Sequence, residues 1–347
     1  KQNRAIDRFC ATYDAVVICD HTSGYYGKYK LLPTLVQLQS DITSPFPPLD
    51  LMVHIGEISA ASFNDTIPAK EVWRVSEDGE LRDPFKKLTT VFQMSEEMFF
   101  LHYGKDGCNR HVLIDECREL FGEIYEQIPE LPFCNIWTAM QLSSRLPKGA
   151  LFHMGVSNTR RCWNMFQLPE SVESACNVGC CGIDGCVSTL VGASLVNPDR
   201  LCYVVVGDLT FFYDLNSLGN HHIGTNLRVM LVNNGRGTEF RLGIHHCNVF
   251  GDDADKYMAA AGHFGNKSPL LVKHYAEDLG FHYLSATTKE EFMTALSNFT
   301  NPQLSDHSMI LEVFTDSKDE SEALYLMSHI QSDAKGMVRS KLKDAVR

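Results

Sequence analysis

No apolar run in this chain approaches the ~20 residues that a helix needs to cross a bilayer, which argues against a membrane-spanning protein. No block of Lys and Arg relieves the formal charge of -12. A surface that tracks nucleic-acid phosphates is therefore not expected. The chain also lacks a short-period repeat and a low-complexity tail.

A disulfide framework is missing as well. There are 12 cysteines, but the chain is long, its opening residues do not read as a secretory leader, and Cys180 and Cys181 are adjacent. The expectation is a reducing, cytoplasmic compartment. The first residue is Lys1 and not Met, and an amphipathic pattern (Ala5, Ile6, Phe9, Cys10) begins at once. Part of the natural protein is expected to precede it.

What is present is length and alternation. At 347 residues the chain has room for about two domains. DAVVICD (14–20), LDLMVHIG (49–56) and KEVWRVSEDG (70–79) read as buried parallel strands of a first α/β domain. The polar segment GKDGCNR (104–110) reads as a linker, which sets the domains at 1–108 and 109–347. Beyond it, Val112, Leu113, Cys117, Leu120, Phe121, Ile124 and Ile128 recur at helical spacing until Pro129 and Pro132 stop the pattern.

From about 133 the alternation resumes. It runs through a helix over 136–146, the strand GALFHMG (149–155), a helix from Ser157, the Gly-rich turn NVGCCGIDG (177–185), a small-residue helix, and a last strand ILEVFTD (310–316). The fold class expected is α/β, with two doubly wound parallel-sheet domains, in which ligands collect beyond the carboxyl ends of the strands.

Two apolar runs, CYVVV from Cys202 and RVMLV from Arg228, end on Gly207-Asp208 and on Asn233-Asn234. The residues between them suffice for one helix and a turn, so a right-handed crossover brings the second run beside the first. A carboxylate and an amide side by side, with a backbone carbonyl from the following turn, form a hard oxygen half-shell suited to Mg²⁺. The alternative is that Asp208 caps the next helix and Asn233-Asn234-Gly235 is only a turn.

This GD…NN pattern resembles the signature of the thiamine-diphosphate-dependent enzymes. GVSNTRR (155–161), the GIDG of NVGCCGIDG, GDLTFFYDLNSL and NNGRGTEF, in that order, are similar to the menaquinone-pathway branch of that family. Its members make 2-succinyl-5-enolpyruvyl-6-hydroxy-3-cyclohexene-1-carboxylate. LDLMVHIGEISAASF and KEVWRVSEDGELRDPFKKLTTVFQ resemble its central domain. The domain at 109–347 would then be the diphosphate- and Mg-binding one.

The resemblance implies thiamine diphosphate with Mg²⁺ or Mn²⁺, decarboxylation of a 2-oxo acid, and addition of the resulting carbanion to an acceptor. It implies Asp208, Asn234 and the backbone carbonyl of Arg236 as metal ligands. Gly182, Ile183, Gly207, Leu209 and Thr210 join Asp208 and Asn234 around the cofactor, with Ile183 the apolar wedge beneath it. Ser157, Arg161 and Phe240 fall at the substrate, and a guanidinium fork suits a carboxylate. Arg160 reads as a solvated neighbour.

The Glu that activates the cofactor belongs, in the family, to an N-terminal pyrimidine-binding domain. No residue here takes that role, so this chain alone is expected to be inactive. A longer protein, a separate pyrimidine-binding chain, and a homodimer or higher oligomer are the implied settings. A simple 2-oxo acid decarboxylase and a non-catalytic partner subunit are the alternatives.

Four positions depart from the family pattern. Val178 stands where an Arg is expected and Glu239 where an Ile is expected, while Cys180-Cys181 replace Ala-Ser. Losing a cation and gaining an anion should repel a dicarboxylate donor, so a different substrate pair is expected. Cys176, Cys180, Cys181 and Cys186 lack paired CxxC knuckles and read as buried thiols more readily than as a zinc site. The pairs His221-His222 and His245-His246 read as surface histidines, and Phe211, Phe212 and Tyr213 with Leu215 and Leu218 as core or dimer contact.

Overall fold

The computed structural model describes residues 2–42, 44, 46–57, 67–179, 182–242, 245–257, 268–338 and 341. The chain forms two compact units, Lys1–Pro129 with Met327–Arg347, and Glu130–Leu326. Among the described residues every strand pairing is parallel, the α/β architecture expected.

The first unit opens on α1 (Gln2–Tyr13), followed by a short pair, β1 (Val17–Ile18) and β2 (Lys30–Leu31), and then α2 (Thr34–Leu38). A three-stranded sheet follows, ordered β3 (Leu49–His54), β4 (Ala69–Ser76), β5 (Leu88–Gln93). Next come α3 (Glu96–Tyr103) and α4 (Val112–Glu126). Aromatic rings join α1 to α3, with Phe9 edge-on to Phe100 at 5.2 Å.

The segment 104–110 is a loop, yet it is not where the units divide. Lys105 N–H donates to Thr12 Oγ1 at 2.8 Å and Arg110 N–H to the Ala11 carbonyl at 3.0 Å, so the loop is tied to α1. Phe121 on α4 packs edge-on against Phe46 at 5.5 Å. The first unit therefore continues past 108 to Pro129. The far end of the chain also returns to it, with Gln39 Nε2 donating to the Met327 carbonyl at 2.8 Å and Ser40 N–H to that of Ser328 at 2.8 Å.

The second unit is built on six strands, β6 (Leu151–Met154), β7 (Glu173–Cys176), β8 (Cys202–Gly207), β9 (Leu227–Asn233), β10 (His282–Ala286) and β11 (Met309–Phe314). Their order across the sheet is β10-β11-β9-β8-β6-β7. The intervening helices are α5 (Asn135–Leu142), α6 (Asn158–Trp163), α7 (Cys186–Val196), α8 (Asp208–Tyr213), α9 (Ala254–Tyr257), α10 (Leu271–Asp278), α11 (Lys289–Phe299) and α12 (Ser317–Ser328).

Alternation along the central strands shows that both sheet faces are covered. Val204 and Val206 of β8 join Val187, Leu190, Phe211 and Val272 in one core, beneath α7, α8 and α10. Tyr203, between them, turns to the other face, where its ring meets Phe299 of α11 at 5.5 Å and its hydroxyl donates to the Phe299 carbonyl at 2.9 Å. Phe152 of β6 meets Trp163 of α6 at 4.9 Å. The unit is doubly wound.

Candidate cofactor and metal site at the strand ends

The connection from β6 leaves toward β7 and the connection from β8 leaves toward β9, on the other side. The carboxyl ends of β6 and β8 thus border the place where the winding reverses, where open α/β sheets leave a crevice. Val156-Ser157 follows one of these strands and Asp208 the other.

Register fixes the second relationship. β8 and β9 pair in parallel with Gly207 opposite Val232. Asp208 therefore comes beside Asn233-Asn234, as the spacing of the two apolar runs required. A Cβ built on Gly207 would meet nothing within 4 Å, so the strand end faces open space.

Asp208 is buried, 2% exposed, and its Oδ1 accepts from Leu209 N–H at 2.7 Å. It occupies the first turn of α8; the N-cap position is Gly207, and no side chain makes the capping hydrogen bond. The carboxylate thus bonds a first-turn amide of α8, as the capping alternative has it, and also stands at the strand end. Leu209 and Thr210 behind it are buried.

Asn233 and Asn234 are held in different ways. Asn233 is buried, donates through Nδ2 to Glu312 Oε1 at 2.7 Å, and accepts at Oδ1 from Gly235 N–H at 3.2 Å. Asn234 is half-buried and accepts at Oδ1 from Arg236 N–H at 3.3 Å. Gly235, at φ 78°, permits this tight Asx turn, a left-handed backbone that costs glycine little.

At the β6 end, Gly155 N–H donates to the Val205 carbonyl at 2.7 Å. Ser157 then adopts φ 60°, ψ -123°, a strained backbone for a residue with a Cβ. Arg161, one turn on, donates through Nη1 and Nη2 to Glu239 Oε2 and Oε1 at 3.0 and 2.6 Å. Phe240 is half-buried, with its ring edge-on to His245 at 5.2 Å.

The remaining expectations are distributed unevenly. Gly182 and Ile183 are half-buried just before α7, and Val178 is half-buried beyond β7. Arg160 is buried, 8% exposed, and is not the solvated neighbour expected, because its side of the short α6 faces the core. Cys180 and Cys181 lie outside the described residues. Cys186 is buried and its thiol is pushed up to about 11 by desolvation, so it is protonated near neutrality. Among the described residues no group of three or more His, Cys, Asp or Glu is arranged around a metal position. His221 and His222 are exposed, on the rim of an open hollow of about 550 Å³ beside α7.

Two buried carboxylates behind the site escaped the sequence reading. Glu312 on β11 holds Asn233 and accepts from the Tyr283 hydroxyl at 2.7 Å; burial raises its pKa. Glu320 on α12 accepts from Asn135 N–H at 2.9 Å and Thr315 Oγ1 at 3.0 Å, and burial pushes it up to about 7. The available signal was a lone Glu inside the apolar run ILEVF.

The donor set suits a hard cation. One carboxylate, one side-chain amide oxygen and backbone carbonyls at adjacent strand ends match the oxygen preference of Mg²⁺ or Mn²⁺.

The chain matches no family model. Among curated proteins, a 2-succinyl-5-enolpyruvyl-6-hydroxy-3-cyclohexene-1-carboxylate synthase of Bacteroides fragilis is 33% identical over 263 residues, which cover 74% of this chain and 45% of the relative. Synthases of the same name from Phocaeicola vulgatus and Bacteroides thetaiotaomicron are 32% identical over 265 and 259 residues, covering 74% of this chain and 44% of each relative. Over about 74% of its length, the chain is similar to synthases of this name. It spans under half the length of the curated synthases it matches.

Proposed function

We propose that this chain holds the diphosphate of thiamine diphosphate and its Mg²⁺ in an enzyme that decarboxylates a 2-oxo acid and joins the remaining fragment to an acceptor. The enzyme would be a synthase of the menaquinone-pathway type, working in the cytoplasm as a dimer or larger assembly. The observation that carries the reading is the pairing of β8 with β9, which sets a buried Asp208 beside Asn233-Asn234.

In this reading Asp208, Asn234 and the carbonyl of Arg236 bind Mg²⁺ or Mn²⁺. Gly182, Ile183, Gly207, Leu209 and Thr210 shape the cofactor's seat, while Ser157, Arg161 and Phe240 face the substrate. When bound, the cofactor's thiazolium supplies the electron sink that decarboxylation needs.

The chain's own part is to bind and orient. Asp208 enters the site already desolvated, which strengthens its attraction for a cation. Glu312 fixes Asn233 and so the start of the turn that carries Asn234. The carboxylate that activates the cofactor's aminopyrimidine is sought in the part of the relatives this chain does not span, and this chain alone is proposed to be inactive.

Calorimetry on the full-length protein tests the ligand assignment. Thiamine diphosphate should bind with Mg²⁺, lose its affinity in EDTA, and lose most of it in Asp208→Ala. Metal-independent binding that ignores the substitution would overturn the assignment. A simple 2-oxo acid decarboxylase is the second reading, favoured by the Arg161–Glu239 pair because it engages one anchor for an anionic acceptor. Release of an aldehyde in place of a carbon–carbon adduct would identify it.

A further inference from the structure

The guanidinium of Arg161 already holds a carboxylate. Both terminal nitrogens donate to both oxygens of Glu239, at 3.0 and 2.6 Å, and Nη1 also reaches Asn158 Oδ1 at 3.4 Å. The two side chains are 23% and 21% exposed, so the pair is mostly withdrawn from solvent. A planar fork makes its strongest contact with a carboxylate in this two-bond arrangement, and here that arrangement is filled from within the chain.

Glu239 arrives on the short 3-10 turn Thr238–Arg241, five residues beyond Asn234 and next to Phe240. The segment that carries a candidate metal ligand therefore also delivers the anion to Arg161. A tethered carboxylate acts at an effective concentration in the millimolar range or above. A free carboxylate must displace it and then sit against the displaced negative charge.

We propose that Glu239 is a specificity-determining residue. It occupies the anion subsite on Arg161 and closes it to carboxylate ligands, so the substrate group admitted beside Phe240 is uncharged. The proposal rests on reading Ser157, Arg161 and Phe240 as the substrate end.

The test is succinate binding to the full-length protein without cofactor, by calorimetry at low salt, with succinamide as the neutral counterpart. Wild type should bind succinate no better than succinamide. Glu239→Leu should bind succinate at least about tenfold more tightly, in line with loss of a tethered competitor, and Glu239→Gln should gain in the same direction. The double variant Glu239→Leu/Arg161→Met should lose the gain, and thermal unfolding of each variant checks that it is folded.

Equal succinate affinity in wild type and both single variants would overturn the proposal. So would a gain that survives loss of Arg161. Because no cofactor is present, the result stands apart from the Asp208→Ala calorimetry. A failed succinate test beside a metal-dependent cofactor site sinks this proposal alone, and a succinate gain beside a metal-independent one sinks only the ligand assignment.

Discussion

Asn233 Nδ2 donates to Glu312 Oε1 at 2.7 Å, so the last residue of β9 is fastened to a buried carboxylate on the adjacent strand β11. Tyr283 on β10 donates to the other oxygen of the same carboxylate at 2.7 Å. The turn bearing Asn234 thus inherits its position from a relay across three strands.

Glu312→Ala removes that acceptor and leaves a buried amide N–H without a partner, a loss of about 1–3 kcal/mol. Denaturant unfolding should show the loss, and Glu312→Gln should recover most of it. Cofactor affinity in the full-length protein should follow the same order, Ala weakest. Equal stability of all three chains would show that the relay does not position the turn.

Glu320 should give the second unit a pH-dependent stability. Its ordinary value of 4.5 is raised to about 7 by burial, so the folded chain holds this proton more tightly than the unfolded chain does. The contribution is full below about 4.5, declines as pH rises, and is gone above about 7. Glu320→Gln removes the slope. Urea unfolding at pH 5 and pH 8 should show the variant gaining on wild type at the higher pH; a constant difference would contradict the assignment.

Ser157, at φ 60° and ψ -123°, stores backbone strain of about 1–3 kcal/mol. Glycine adopts this conformation without a Cβ clash and alanine does not. Ser157→Gly should therefore unfold at a higher urea concentration than Ser157→Ala. The reverse order would mean the backbone at this position is relaxed in solution.

Thiol chemistry should separate the cysteines by burial. The ten described cysteines are all free, and only Cys108 is exposed. Desolvation pushes Cys10 up to about 12 and Cys117, Cys186 and Cys202 up to about 11. A maleimide at pH 7 should label Cys108 within seconds and these four only after denaturation, as peptide mapping would show. Rapid labelling of Cys186 in the native chain would reopen its reading as a reactive or metal-binding thiol.

The central strands were legible because burial on both faces leaves continuous apolar runs, and β8 and β9 read as such. The edge strands β7 (ESAC) and β10 (HYLSA) were not, since each borders a single neighbour and mixes exposed with half-buried positions. Spacing brought the polar ends at Asp208 and Asn233-Asn234 together, and the proposed ligand roles of Asp208 and Asn234 came from the family resemblance. What local sequence does not reveal is pairing over distance: Arg161 with Glu239, Lys105 with Thr12, Asn233 with Glu312. The fuller burial of Arg160 than of its neighbour Arg161 likewise depends on which side of a two-turn helix meets the core.

The strand order carries a consequence for how the molecule is made. β10 leaves the ribosome before β11, yet among the described residues β10 pairs only with β11, and β11 must enter between it and β9. Until residue 314 has emerged, β9 is an open edge, the kind of template that invites pairing with another chain. A nascent chain arrested short of that point would display Asp208 and Asn234 with nothing behind Asn233. The arrival of β11 both closes the open edge of β9 and puts Glu312 behind Asn233.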